Sequence, residues 1–140
     1  MQMNTKKLPI LLAAFALIVS TLACALGEPT LSNVRTAKDQ DGAQPSSVFA
    51  TTETIYVVSD LSNGVKGNVV TSKWYAVEVV DTEPNFLIDE ADIPVEEDSF
   101  NGTIYFFFPP PLDGQWPTGR YKVEIYFNGA LNSTVEFTVQ

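Results

Sequence analysis

Between Gly119 and Val139 the sequence alternates apolar and polar residues, and the alternation breaks at Asn128-Gly129. Tyr121, Val123, Ile125 and Phe127 fall on one side of the pattern; Lys122, Glu124, Tyr126 and Asn128 fall on the other. Beyond the break, Val135, Phe137 and Val139 alternate with Thr134, Glu136 and Thr138. A period of two belongs to an extended strand, not to a helix. Asn-Gly is a strong signal for a two-residue hairpin turn, whose central residues both need positive φ. Residues 119–139 are therefore expected to form a hairpin with one apolar face. Such a face has to be buried against a second layer.

The upstream sequence repeats this theme. Thr54–Leu61, Asn68–Val80 and Gly102–Phe108 read as strands, and Phe86–Asp89 as a short edge strand. Pro109, Pro110 and Pro111 end the third of these, because proline cannot donate to a ladder. Helical periodicity is nearly absent. The 93 residues from Val48 to Gln140 suffice for one modest core. The expectation is an all-β, immunoglobulin-like antiparallel β-sandwich of about seven strands. The chain resembles the Ig-like modules of bacterial surface proteins in its closing pattern: the turn Trp116-Pro117-Thr118-Gly119, a Tyr-bearing strand, and a hairpin to a terminal Phe-x-Val strand. The Cys…Trp…Cys signature of antibody domains is missing. Trp74 alternates with Tyr75, Val77 and Val79, and the pattern alone does not say which face is the wetter one.

The N-terminus carries a different signal. Lys6 and Lys7 precede the uncharged apolar run Leu8–Val19, and small residues lead to Cys24. This is the plan of a secretory signal, with an apolar core shorter than the ~20 residues a membrane span needs. Cys24 is the one cysteine, so it has no disulfide partner within the chain. Thr21-Leu22-Ala23-Cys24 resembles the lipobox of bacterial lipoproteins, with Thr21 where the commonest boxes carry Leu. The resemblance implies cleavage after residue 23, lipidation of Cys24 by more than one acyl chain, and firm membrane attachment. It also implies export, with the domain facing the periplasm or exterior from the cell membrane or outer membrane. Residues 24–47, rich in Gly, Pro, Ser, Thr, Gln and Asp, read as the lipidated cysteine and a flexible tether. Leu31 and Val34 are its apolar exceptions, suited to a short edge strand. The domain is then expected over 48–140.

Chemistry is hard to find in these residues. There is no histidine, which removes the usual general base and zinc ligand. Residues 81–98 hold eight carboxylates and no Lys or Arg. Within them Asp89, Asp92, Glu96 and Asp98 form a candidate weak calcium site, since calcium prefers oxygen ligands. A solvated acidic face is the simpler account. A carboxylate pair such as Asp113 with one of these acids is the minimal requirement for a glycan hydrolase. No other cofactor is implied. Removing residues 1–23 takes away Lys6 and Lys7 and no acid, leaving 6 Lys/Arg against 17 Asp/Glu, a net charge of −11. That surface is opposite in sign to the basic patches of nucleic-acid-binding proteins, so nucleic acid is not an expected partner.

The aromatic residues are the remaining candidates for contact. Tyr105, Phe106, Phe107 and Phe108 are consecutive, so both faces of their strand are aromatic. One face belongs in the core; exposed rings on the other would mark an interface. Trp116, Tyr105, Phe106 and Tyr126 are the residues expected to touch a partner, with Trp116 alternatively plugging the end of the sandwich. The functional expectation is a non-enzymatic cell-envelope lipoprotein whose domain binds another envelope protein or a polysaccharide. The alternatives are a structural spacer or assembly subunit, and a weak calcium-binding surface module.

Overall fold

The computed structural model describes residues 27–111 and 113–140; Cys24 and the signal sequence lie outside them. The described chain is all-β, with eight strands: β1 (Thr30–Ala37), β2 (Val48–Phe49), β3 (Ile55–Gly64), β4 (Val69–Val79), β5 (Phe86–Pro94), β6 (Phe100–Phe108), β7 (Gly119–Phe127) and β8 (Ala130–Val139). They form two sheets, ordered β1-β3-β6 and β2-β8-β7-β4-β5. All pairings are antiparallel except the two-residue β2–β8 pair. The sandwich expected from alternation is therefore present, with eight strands where about seven were expected because β2 is so short.

The C-terminal hairpin forms where the alternation placed it. Asn128 has φ 50° and Gly129 φ 84°, the double positive that an Asn-Gly turn accommodates. Asn128 then ties the turn to β4: its side-chain Oδ1 accepts from the Val69 amide at 2.9 Å, and its backbone N–H donates to the Val69 carbonyl at 2.9 Å. Tyr121, Val123, Ile125, Phe137 and Val139 are buried, facing Ile55, Val57, Leu61, Ile104 and Phe106 from the opposite sheet. Each large apolar side chain buried here stabilises the fold by roughly 1.5–3 kcal/mol.

Trp74 faces this core, with only 2% of its surface exposed. Its indole N–H donates to Ser72 Oγ at 3.1 Å, two residues away on the same face, so the buried donor is satisfied. Tyr75 turns outward. A bulge on β4 between Ala76 and Glu78 then reverses the facing: Glu78 reaches solvent and bonds Arg120 at 2.7 Å, while Val79 packs on the core. Strict alternation through this strand fails for that reason.

Two boundaries differ from expectation. The segment read as a flexible tether contains β1, which pairs with β3 over six register positions and buries Leu31, Thr36 and Ala37. The stretch after it is held by polar groups. Asp39 accepts from the amides of Ala43 (3.0 Å) and Gln44 (2.8 Å), and these bonds hold its carboxyl below the usual carboxylate range. The Arg35 guanidinium donates to the carbonyls of Asn33, Asp41 and Gly42. Composition reads such a loop as unable to order because it counts apolar burial alone. The second difference is β5, which runs nine residues instead of four. Its charged residues hid it, as an edge strand tolerates polar side chains on both sides.

Candidate binding cleft and aromatic face

The two sheets end differently on their two sides. On one side β1 approaches β8, and Asn132, the extra residue of a β8 bulge, donates from Nδ2 to the Leu31 carbonyl at 3.2 Å. This bond crosses between the sheets. On the other side β5 closes the five-stranded sheet and β6 closes the three-stranded one, and the two strands are not paired with each other. Between them lies a cleft of 560 Å³. Ser72 and Trp74 contribute from β4, Ala91 and Ile93 from β5, and Ile104 and Phe106 from β6. Phe100 lies along it, and Asp89, Glu96 and Glu97 bring carboxylates to its lining. Its size and mainly apolar lining fall in the range of ligand-binding clefts.

Tyr105 and Phe107 also border this cleft. They alternate with the inward-facing Ile104, Phe106 and Phe108, so they emerge on the outer face of the three-stranded sheet. Tyr105 is 37% exposed and Phe107 58%. With Tyr56 they form a triangle of rings whose centroids lie 6.1, 6.2 and 6.4 Å apart. Phe107 and Tyr56 were not singled out from sequence. The signal that reveals Phe107 is the period of two: once Phe106 is in the core, both its neighbours must face out.

The other expected contact residues behave otherwise. Phe106 is buried in the core at 6% exposure. Trp116 is buried at 3%, and its role is to plug one end of the sandwich. Its ring packs on Phe108 at 5.0 Å and Tyr121 at 5.4 Å, and its indole N–H donates to the Glu53 carbonyl at 3.2 Å. Its amide also donates to the Thr51 carbonyl at 2.7 Å. A large ring next to a strand end has more to gain from the core than from water, so Trp116 is corrected from contact to core, whereas Phe106 belongs to the core and also lines the cleft. Beside Trp116, the Tyr121 hydroxyl donates to the Pro117 carbonyl four residues back at 2.6 Å, the tyrosine corner of Ig-like sandwiches. Burial pushes that phenol's pKa up.

Tyr126 lies on the outer face of the five-stranded sheet, within a self-paired lattice. Its hydroxyl donates to Glu124 at 2.8 Å, and this bond, aided by partial desolvation, pushes its pKa up to about 12. Lys73 sits 4.7 Å from the Tyr126 ring centre, and Lys122 sits 4.9 Å from that of Tyr75. These cations and rings satisfy one another across β4 and β7.

The four proposed calcium ligands are not brought together. Asp89 pairs with the inward-facing Trp74 and borders the cleft, whereas Asp92 pairs with the outward-facing Thr71 and accepts its hydroxyl at 2.6 Å. Three residues apart on a strand means opposite faces. Glu96 and Asp98 lie beyond the end of β5. Among the described residues no three acidic, histidine or cysteine side chains are placed to share an ion. Asp113 accepts from the Gln115 amide at 3.2 Å in its own turn and is not among the residues lining the cleft, so the carboxylate pair imagined for hydrolysis is not formed there.

No protein-family model and no curated protein sequence matches the chain. Solved structures do resemble it. An immunoglobulin-like protein from Pseudomonas aeruginosa aligns with a TM-score of 0.52 at 10% identity, over 81% of this chain and 98% of that one. A β-glucosidase from Erythrobacter marinus aligns with 0.53 at 11% identity, over 81% of this chain and 15% of its own. The alkylpurine DNA glycosylase AlkC of Pseudomonas fluorescens, bound to DNA containing an abasic site analog, gives 0.51 at 14% identity, over 81% and 30%. This chain thus spans less than a third of the two enzymes and nearly all of the immunoglobulin-like protein. At these identities the likeness is one of fold: the chain folds as an Ig-like β-sandwich.

Proposed function

We propose that this chain is an exported lipoprotein, anchored in the cell membrane or outer membrane through Cys24, whose Ig-like domain is a non-enzymatic module that binds another component of the cell envelope. The observation that carries the binding reading is the cleft between β5 and β6 and its continuity with the exposed Tyr105 and Phe107 rings. Small sandwiches rarely leave large rings in water beside an apolar opening unless something covers them. The anchor reading rests on the Lys6–Cys24 sequence alone. Together they describe a tethered domain that presents one side to its surroundings, while its acidic surface discourages adhesion to anionic headgroups.

The test uses the full chain purified in detergent from cells fed a labelled fatty acid. Label on the protein that Cys24→Ser abolishes is the expected result for the anchor. The same preparation is then exposed to envelope proteins and polysaccharides of the producing cell. A ligand retained by the native chain and lost from Tyr105→Ala/Phe107→Ala is the expected result for the binding module. Retention indifferent to that pair of substitutions sinks the cleft as the binding site, and a spacer role then accounts better for the fold.

A further inference from the structure

Two sheets have four edges, and three of them are guarded. β1 carries a bulge at Ser32–Arg35 with Asn33 at φ 53°. β2 is two residues long. β5 displays Asp89, Glu90, Asp92 and Pro94. Bulges, brevity, charge and proline are the devices by which natural sheets keep a bare edge from pairing with another chain. β6 is not short, and the one register shift in its pairing has its extra residue on β3, between Leu61 and Gly64. Its nine residues, Phe-Asn-Gly-Thr-Ile-Tyr-Phe-Phe-Phe, contain no charge and no proline. Its unpaired side borders the apolar cleft.

We propose that the free edge of β6 takes an extended, basic segment of a partner polypeptide as an added strand, its apolar side chains filling the cleft and its outward-facing cations set beside the Tyr105 and Phe107 rings, within the field of the carboxylates of Asp89, Glu96 and Glu97. This rests on the reading of the domain as a binding module and names the chemistry of its partner. Main-chain bonds to β6 would supply affinity, and pockets for alternate side chains would supply selectivity. Inward-facing side chains of the added strand meet Ile93, Ile104 and Phe106; outward-facing lysines or arginines lie beside the Tyr105 and Phe107 rings, where cation–π contact favours them. Charge selects the occupant. The chain carries a net charge of −9, and no Lys or Arg lies between residues 81 and 98. A second copy docked edge to edge would set these carboxylates against each other, whereas a basic strand neutralises them.

The probe is a nine-residue peptide of alternating lysine and valine, added to the full chain in neutral detergent. Its acidic glutamate–valine counterpart and a form N-methylated on alternate residues, which cannot donate to β6, are the comparisons. The basic peptide is expected to bind with amide shifts along β6, and N-methylation to weaken it roughly tenfold or more. Phe107→Lys, which installs a guard at an exposed position and is checked by its melting curve to be folded, is expected to cause a similar loss. Glu96→Gln/Glu97→Gln should weaken binding several-fold and flatten its salt dependence. Equal binding by the N-methylated or the acidic peptide overturns the proposal, as does no binding by any peptide. Self-association of the native chain that Phe107→Lys abolishes overturns it too, since the occupant is then a second copy. If the peptides fail while an envelope ligand is still lost on Tyr105→Ala/Phe107→Ala, strand addition falls and the binding module stands.

Discussion

The two long sides of this sandwich solve the same problem in opposite ways. On the β1/β8 side, the exposed strand edges are bridged by side chains: Asn132 reaches Leu31 across the sheets, and Arg35 binds three carbonyls around the loop that carries the chain from one sheet to the other. On the β5/β6 side the edges face each other unpaired across an apolar cleft. One side spends its polar side chains on internal closure, and the other leaves backbone and rings available. The difference teaches that exposure on a β-sandwich is informative only against the edge devices around it. Among the described residues eight large apolar side chains are exposed, and Phe107 stands out because its strand is bare and borders a cleft.

The largest expected effect tests whether the aromatic plug and the aromatic edge really differ in kind. Trp116→Ala removes the ring stacked among Phe108, Tyr121 and Phe137 and leaves a cavity, at a cost of about 3–5 kcal/mol in a urea melt. Phe107→Ala should cost no more than about 1 kcal/mol, the worth of its cross-strand ring contact with Tyr56. Comparable losses for the two would break the distinction. Next, Arg35→Ala strips the closed side of its carbonyl ligand and of the 3.5 Å ion pair with Asp60, with an expected cost of about 1–3 kcal/mol. Amide exchange should accelerate in residues 38–47 and stay unchanged along β6; faster exchange in both would mean the two sides are one cooperative unit.

Smaller effects are read by titration. Asp39 on the closed side has its pKa lowered by backbone bonds from Gln44 and Ala43, so its contribution to stability is present above its unfolded pKa and is lost as pH falls through the folded value. Its carboxyl carbon should titrate in NMR below the usual range, and a normal midpoint would show that the loop is not held as described. The Tyr126 phenol, pushed up to about 12 by Glu124, works in the other direction. Its neutral form contributes fully below the ordinary tyrosine value of ~10 and the contribution is lost as pH rises through the folded pKa. Ultraviolet titration should show Tyr126 ionising late, alongside the raised Tyr75 and Tyr121, and Glu124→Gln should bring Tyr126 back toward the ordinary value. A Tyr126 that titrates normally would show that the Glu124 bond does not hold the phenol.

Much of the fold was legible because period-two patterning is a local property. Tyr121 to Val139 announced its hairpin, its turn and its buried face, since each residue's facing follows from its neighbours'. Patterning failed at Val77, where the bulge reverses the facing, and at Asp89–Pro94, where an edge strand needs no apolar alternation. It failed in residues 30–47 because the order there comes partly from Arg35 and Asp39 bonding to nearby backbone carbonyls and amides of the same loop, which composition does not register. The candidate site was less legible. Sequence placed both faces of β6 under suspicion and named Phe106 as the contact, where the structure exposes Phe107 instead.

The sequence by itself determined the strand character, the hairpin, the acidic surface and the presence of a core rich in rings. Only the tertiary structure decided which rings are core and which are surface, and that Asp89 and Asp92 face opposite ways. Facing relative to neighbours is set by the chain's own pleat, but facing relative to water depends on which sheet lies across from it. The bare edge of β6 is likewise invisible along the chain, because a strand becomes an edge only when the sheets have been ordered and one side of it is left without a neighbour.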